Sequence, residues 1–210
     1  MVVCRPTSSH AGVSRSHDVN LLTPLLNEFG TRSIMDAQFP MLTRHGIPDA
    51  DLTIHSHFLS YLAALAQPLG YSGIVECSLP VKPNDRWAAL GEVRPDVVWF
   101  DKTDNAPIVA FEFERFERGD ELKLQSKIEN LNIAYFRSGQ RLQLAVLIYW
   151  VRSGVAPRIL REGMSHYGAG FVRNGLHVPA AGCPLRVFKC AWRAANDGLV
   201  VSDILPVEVA

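Results

Sequence analysis

The sequence predicts a single mixed α/β domain with the element order helix, strand, β-hairpin, helix and strand, followed by further strands. Three observations support this class. Residues 52–67 repeat apolar side chains at helical spacing, residues 92–115 hold two β-rich runs joined by a polar turn, and residues 142–151 are almost continuously apolar. Hydrophobic residues make up 48% of the 210 residues, which is enough for one buried core.

The N-terminal part is predicted to be helical but interrupted. Residues 1–17 are rich in Ser, His and Arg, and we expect them to form a mobile tail ahead of a single domain at 18–210. From 18 to 45, leucines recur at helical spacing until Gly30 breaks the pattern. This part is therefore expected to form helices that precede the main sheet.

Two later segments have the pattern of amphipathic helices. The first is 52–67, which Pro68 and Gly70 end, and the second is 121–135. Their apolar faces are formed by Phe58, Leu62 and Leu65 in the first helix and by Leu124, Ile128, Leu131 and Tyr135 in the second. We expect both faces to pack against a sheet.

The strands are predicted around these helices. They are expected at 71–81, 92–101, 107–115, 142–151, 185–193 and 199–205. The polar turn at 102–105 joins the second and third strands into a hairpin. The apolar run at 142–151 is typical of a central strand covered on both faces, and residues 157–167 are expected to add another helix.

The hairpin carries a group of carboxylates. Because side chains alternate across a strand, Glu112 and Glu114 project from one face while Phe111 and Phe113 project from the other. A hairpin can place Asp96 of the preceding strand opposite the glutamates. Converging carboxylates repel each other unless a positive group lies among them, and oxygen ligands favour Mg²⁺ or Mn²⁺ over zinc.

Arg94-Pro95-Asp96, a turn, Glu112-Phe113-Glu114 and a following amphipathic helix together resemble the PD-(D/E)xK nuclease superfamily. The resemblance implies a restriction-endonuclease-like αβββαβ core at about 51–151, with a central mixed sheet flanked by helices and with N-terminal helical and C-terminal (152–210) extensions. It implies a magnesium- or manganese-dependent endonuclease acting on nucleic acid, most often DNA, and a homodimer. Asp96 and Glu112 would be the metal ligands.

The third position of the motif departs from the family pattern. The lysine of the (D/E)xK triplet falls on Glu114, which could itself position the attacking water. Alternatively, a lysine could reach the site from the next helix, where Lys123 and Lys127 lie one turn apart on one face. We favour Lys127. Glu76, on the first predicted strand, is a further candidate ligand or supporting group.

Other interpretations of these residues remain open. Glu112 and Glu114 could lie on a solvent-facing hairpin surface, paired with Arg94 and Arg115. A protein of the same fold without the family lysine could bind nucleic acid or a partner without cleaving it. A glycosidase would use a carboxylate pair without a metal. His55 and His57 face apart at helical spacing, so we expect neither a zinc site nor a catalytic role for them.

Composition and charge limit the remaining classes. A formal net charge of zero excludes a wholly basic nucleic-acid binder and an acidic disordered chain. The four cysteines form no Cys-x-x-Cys pair, so neither a zinc ribbon nor a thioredoxin motif is present. No apolar run reaches the ~18 residues that a membrane helix needs, and the N-terminus lacks a secretory pattern. We expect a cytoplasmic protein with free cysteines and no membrane partner.

Overall fold

The computed structural model describes residues 21–81, 85–117, 119–152, 160–195 and 198–208. The predicted tail at 1–17 and the first residues of the helix predicted at 157–167 lie outside them. Over the described part, the architecture is a mixed α/β fold in which one six-stranded sheet is flanked by helices. None of the helices in these ranges is long and apolar enough to cross a membrane.

In the described part of the chain, three α-helices, one π-helical turn and one 3₁₀ helix precede the sheet. They are α1 (Leu22–Thr31), α2 (Ser33–Gln38), the π-helical turn (Met41–His45), α3 (Asp51–Ala64) and the 3₁₀ helix (Gln67–Leu69). The sequence predicts that the first helix breaks at Gly30, but α1 continues to Thr31. The chain turns two residues after the predicted break, at Arg32, which has a φ of 55°. Pro40 and Gly46 bound the π-helical turn.

The strands of the sheet are β1 (Tyr71–Val75), β2 (Val97–Asp101), β3 (Pro107–Arg115), β4 (Leu144–Val151), β7 (Leu185–Ala195) and β8 (Gly198–Pro206). Their order across the sheet is β1-β2-β3-β4-β7-β8. β3 and β4 are parallel, as are β4 and β7, whereas the other pairs are antiparallel. The sheet is therefore mixed, as the sequence predicts, with β3 and β4 at its centre.

Two apolar layers cover the faces of this sheet. On one face, α1 and α3 pack against Trp99, Phe111 and Phe113. On the other face, α4 (Glu121–Arg137) and α5 (Leu160–Ala169) pack against Leu147 and Tyr149. A small separate hairpin, β5 (Phe171–Arg173) and β6 (Leu176–Val178), joins the second layer and is absent from the sequence prediction.

Two predicted strands are longer than the structure shows. The strand expected at 71–81 ends at Val75, because Glu76 adopts a positive φ of 47°. The strand expected at 92–101 begins at Val97. Between them lies a 3₁₀ helix (Arg86–Leu90), which the Asp85 side chain caps by accepting a hydrogen bond from the Trp87 amide.

Candidate active site

The site begins at the paired ends of β2 and β3. The register pairs Val97 with Phe111, so Asp96 comes opposite Glu112 one residue further on. The Phe113 amide donates a 2.7 Å hydrogen bond to Asp96 Oδ2 and fixes that carboxylate beside the strand. On the other side of β3, Glu112 is level with Leu147 of the central strand β4, which explains why this carboxylate is buried.

Lys127 of α4 connects the carboxylates. Its Nζ lies 2.5 Å from Glu112 Oε2 and 3.3 Å from each oxygen of Asp96. It also lies 3.9 Å from Glu114 Oε2. One ammonium group therefore contacts three carboxylates, as expected for a lysine that reaches the site from the helix after the motif.

Lys123, one turn earlier on α4, has a different role. Its Nζ lies 2.5 Å from Glu114 Oε1, and 48% of its side chain is exposed against 21% for Lys127. Glu114 Oε1 also accepts a hydrogen bond of 3.0 Å from the Arg115 amide. The structure therefore brings Asp96, Glu112, Glu114 and both lysines into one cluster, with Lys127 at its centre and Lys123 at its rim.

The surface interpretation of the two glutamates is wrong. Glu112 is fully buried and Glu114 is 9% exposed, because both project toward α4 rather than toward solvent. Arg94 pairs with Glu76, and Arg115 has an ion pair with Glu117. The phenylalanines on the opposite face of β3 lie in the core, as the alternation of side chains predicts.

The cluster perturbs the protonation of its members. Burial raises the pKa of Glu112 well above its ordinary value, the Asp96 carboxylate raises it further, and Lys127 only partly opposes them. Burial also acts to raise the pKa of Asp96, but His55, Lys127 and the Phe113 amide together hold it below its ordinary value. Burial acts to lower the pKa of Lys127, but Glu112 and Asp96 raise it overall. We infer an ionised Asp96 beside a charged Lys127.

The donor atoms at this site fit a hard divalent cation. Glu112 Oε1 is buried and has no hydrogen-bond partner in the part of the chain that the structure describes, although the Glu112 side chain interacts with the Asp96 carboxylate. Among the described residues, no group of three or more His, Cys, Asp or Glu side chains is arranged as a ready-made metal site. Mg²⁺ commonly needs only one or two carboxylates, with water and substrate phosphate completing its shell. Asp96 and Glu112 would be the residues that hold it.

Glu76 is joined to the site by a contact of its backbone. Its amide donates a 2.7 Å hydrogen bond to the Asp96 carbonyl. Its side chain, however, is 54% exposed and lies 3.9 Å from Arg94. No contact described in the structure joins its carboxylate to Asp96 or Glu112, so the structure offers no support for Glu76 as a ligand.

His55 also belongs to the cluster, although the sequence predicts no functional role for this histidine. Its Nε2 lies 3.7 Å from Asp96 Oδ2, and this contact raises the pKa of the imidazole above its ordinary value despite burial. The signal was available, because His55 precedes Phe58 by three residues and so lies on the same face of α3. Phe58 stacks on Phe113 with ring centroids 4.1 Å apart, which brings that face to the end of β3.

Comparisons with known proteins leave the family open. No family model matches the sequence, and no curated protein matches it. Among solved structures, the chain is similar to the YaeQ protein from Xanthomonas axonopodis pv. citri. That match has a TM-score of 0.33 and 12% identity, and it covers 74% of this chain and 81% of that one. A likeness at this level carries no argument about family or activity.

Proposed function

We propose that this chain is a metal-dependent nuclease that hydrolyses phosphodiester bonds, most favourably those of DNA. The observation that carries the proposal is the buried Asp96–Glu112 pair joined by Lys127 at the ends of β2 and β3. The order α3-β1-β2-β3-α4-β4 over 51–151 supports the restriction-endonuclease-like core that the motif implies.

Each side chain has a distinct part in this proposal. Asp96 and Glu112 would hold Mg²⁺ or Mn²⁺, which when bound would activate water and polarise the phosphate. Lys127 stands in for the missing lysine of the motif and places a positive charge where the transition state gains negative charge. Glu114 is the third carboxylate of the site, and its ion pair with Lys123 holds it at the rim. His55 orients Asp96 from the opposite side.

The nuclease proposal is tested by plasmid nicking with Mg²⁺, Mn²⁺ or EDTA. We expect metal-dependent cutting that falls at least 100-fold in Asp96→Asn and in Glu112→Gln, because each variant replaces a proposed carboxylate ligand of the metal by an amide. The matched control is Asp104→Asn, which removes a carboxylate at the opposite end of the same hairpin. Thermal melting of each variant shows whether the fold is intact.

Two further assays separate the alternatives. Lys127 already places a positive charge among the carboxylates without a metal, which favours a non-catalytic nucleic-acid-binding module as the second candidate. Duplex binding that weakens steeply with salt, without cutting of plasmid, single-stranded DNA or RNA in Mn²⁺, would replace the nuclease proposal by that module. Glycoside hydrolysis insensitive to EDTA would support a glycosidase instead.

A further inference from the structure

A polar cleft of about 590 Å³ lies on the β8 side of the sheet, away from the carboxylate cluster. It is bounded by the turn between α1 and α2, by α2, by the π-helical turn, by the C-terminal end of β7 and by the middle of β8. β7 is two strands from β3 in the sheet order, and β8 is three strands away. The cleft is therefore a feature separate from the candidate active site.

Three arginines line this cleft: Arg32, Arg44 and Arg193. The Arg32 guanidinium is held in place, since its Nη1 donates hydrogen bonds of 3.0 and 2.7 Å to the carbonyls of Val201 and Ser202. Arg44 is also fixed, because its Nη2 donates to the Asp36 carbonyl. Both guanidinium groups are thus oriented by neutral backbone oxygens, and neither forms an ion pair with a carboxylate of the described residues.

The cleft arginines differ in this respect from four arginines that each pair with a carboxylate, namely Arg94, Arg115, Arg141 and Arg152. They resemble Arg86 and Arg137, whose guanidinium groups also donate to backbone carbonyls. No ion pair is found for any of the three cleft arginines within the residues that the structure describes, and Arg193 is exposed with no polar partner there. Asp36 is the one carboxylate among the lining residues, so the cleft has a formal charge of +2.

We propose that this cleft binds a phosphate group, supplied either by a free polyphosphate or nucleotide or by a nucleic-acid backbone. Arginine is suited to this ligand because its planar fork of N–H donors matches phosphate oxygens, often two at a time. Guanidinium groups already held by carbonyls lose less freedom when they bind. The proposal goes beyond the nuclease function and does not depend on it.

The first arm of the test is calorimetric titration with pyrophosphate in EDTA, so that the metal-dependent site plays no part. We expect binding by the full-length protein and a loss of affinity of roughly ten-fold in each of Arg44→Gln and Arg193→Gln. The control is Arg161→Gln, which removes an exposed arginine of α5 and should leave the affinity unchanged. Arg193 is an exposed strand residue, so its variant is expected to fold, and thermal melting checks this.

The second arm distinguishes the two sources of phosphate. A labelled duplex oligonucleotide is titrated in EDTA and then competed with pyrophosphate. If Arg193→Gln weakens the binding of the oligonucleotide and pyrophosphate displaces the oligonucleotide from the wild type, the ligand is the nucleic-acid backbone. If Arg193→Gln weakens only the binding of pyrophosphate, the ligand is a free phosphate compound. Absence of binding of both probes, or an equal loss in Arg161→Gln, would overturn the proposal whatever the outcome of the nicking assay.

Discussion

At the scale of single residues, burial and contact separate side chains that look equivalent in the sequence. Lys123 and Lys127 are one helical turn apart, but only Lys127 reaches Asp96 and Glu112. Glu112 and Glu114 have their side chains on the same face of β3, but only Glu112 lies next to Asp96. The sequence could place the carboxylates because alternation is local. The depth to which each lysine enters the site depends on how α4 packs on the sheet.

Replacing the two lysines tests this difference. We expect Lys127→Gln to reduce metal-dependent cleavage at least 100-fold, because the substitution removes the positive charge shared by three carboxylates. Lys123→Gln should reduce the cleavage rate less than about ten-fold, because Lys123 contacts Glu114 at the half-exposed rim. Single-turnover rates in saturating Mn²⁺ measure both effects. Equal losses in the two variants would contradict the assigned positions.

Glu28 provides a second residue-scale prediction, concerning stability. Its buried carboxylate accepts hydrogen bonds from Ser33 Oγ, from the amides of Ile34 and Met35 and from the Tyr61 hydroxyl. Glu28→Gln should lower the free energy of unfolding by about 1–3 kcal/mol, because a neutral amide cannot accept all of these bonds. Urea denaturation measures the loss.

The control for Glu28 is Glu162→Gln on α5, which removes the same charge from an exposed position. Its effect should stay within about 0.5 kcal/mol. If both variants lose the same amount, the hydrogen bonds of Glu28 do not stabilise the turn between α1 and α2.

At the scale of elements, long periodic segments were predicted well and short ones were not. The strand at 107–115 was predicted to the residue, and α4 extends only two residues beyond its predicted end. β1 was predicted too long because its apolar pattern continues past the left-handed backbone of Glu76. The β5–β6 hairpin was missed although Asn174-Gly175 is a typical hairpin turn, since three-residue strands have too little periodicity to detect.

The contact between α3 and β1 can be tested at a glycine. A Cβ added at Gly73 would lie 2.3 Å from the Ala63 carbonyl oxygen, so the helix and strand must separate to accept it. We expect Gly73→Ala to lower the free energy of unfolding by about 1–3 kcal/mol. Because α3 also carries His55, the change should reduce cleavage as well. Urea denaturation and the nicking assay measure the two effects.

Gly30→Ala is the matched control for this glycine. It lies in α1 and has no positive φ, and no described heavy atom outside the adjacent backbone of its own helix lies within 4 Å of an added Cβ. Alanine in a helix should stabilise by about 0.5–1 kcal/mol here, an effect of opposite sign. Destabilisation by both substitutions would mean that the close approach of α3 to β1 is not the cause.

At the scale of the whole molecule, the site depends on packing between distant parts of the chain. Asp96 and Glu112 come from a hairpin that is local in sequence, whereas His55 and Lys127 come from helices on opposite faces of the sheet. The motif therefore sufficed to find the carboxylates. Helical spacing places His55 on the same face of α3 as Phe58, but its position beside Asp96 depends on the stacking of Phe58 on Phe113, which directs α3 toward the site.

The most direct test of the central claim is calorimetric titration of the full-length protein with Mn²⁺. The account predicts one metal site whose affinity falls at least ten-fold in Asp96→Asn and in Glu112→Gln and is unchanged in Asp104→Asn. Absence of Mn²⁺ binding, or binding that is the same in the wild type and in Asp96→Asn, would contradict the assignment of these buried carboxylates as the metal-binding pair.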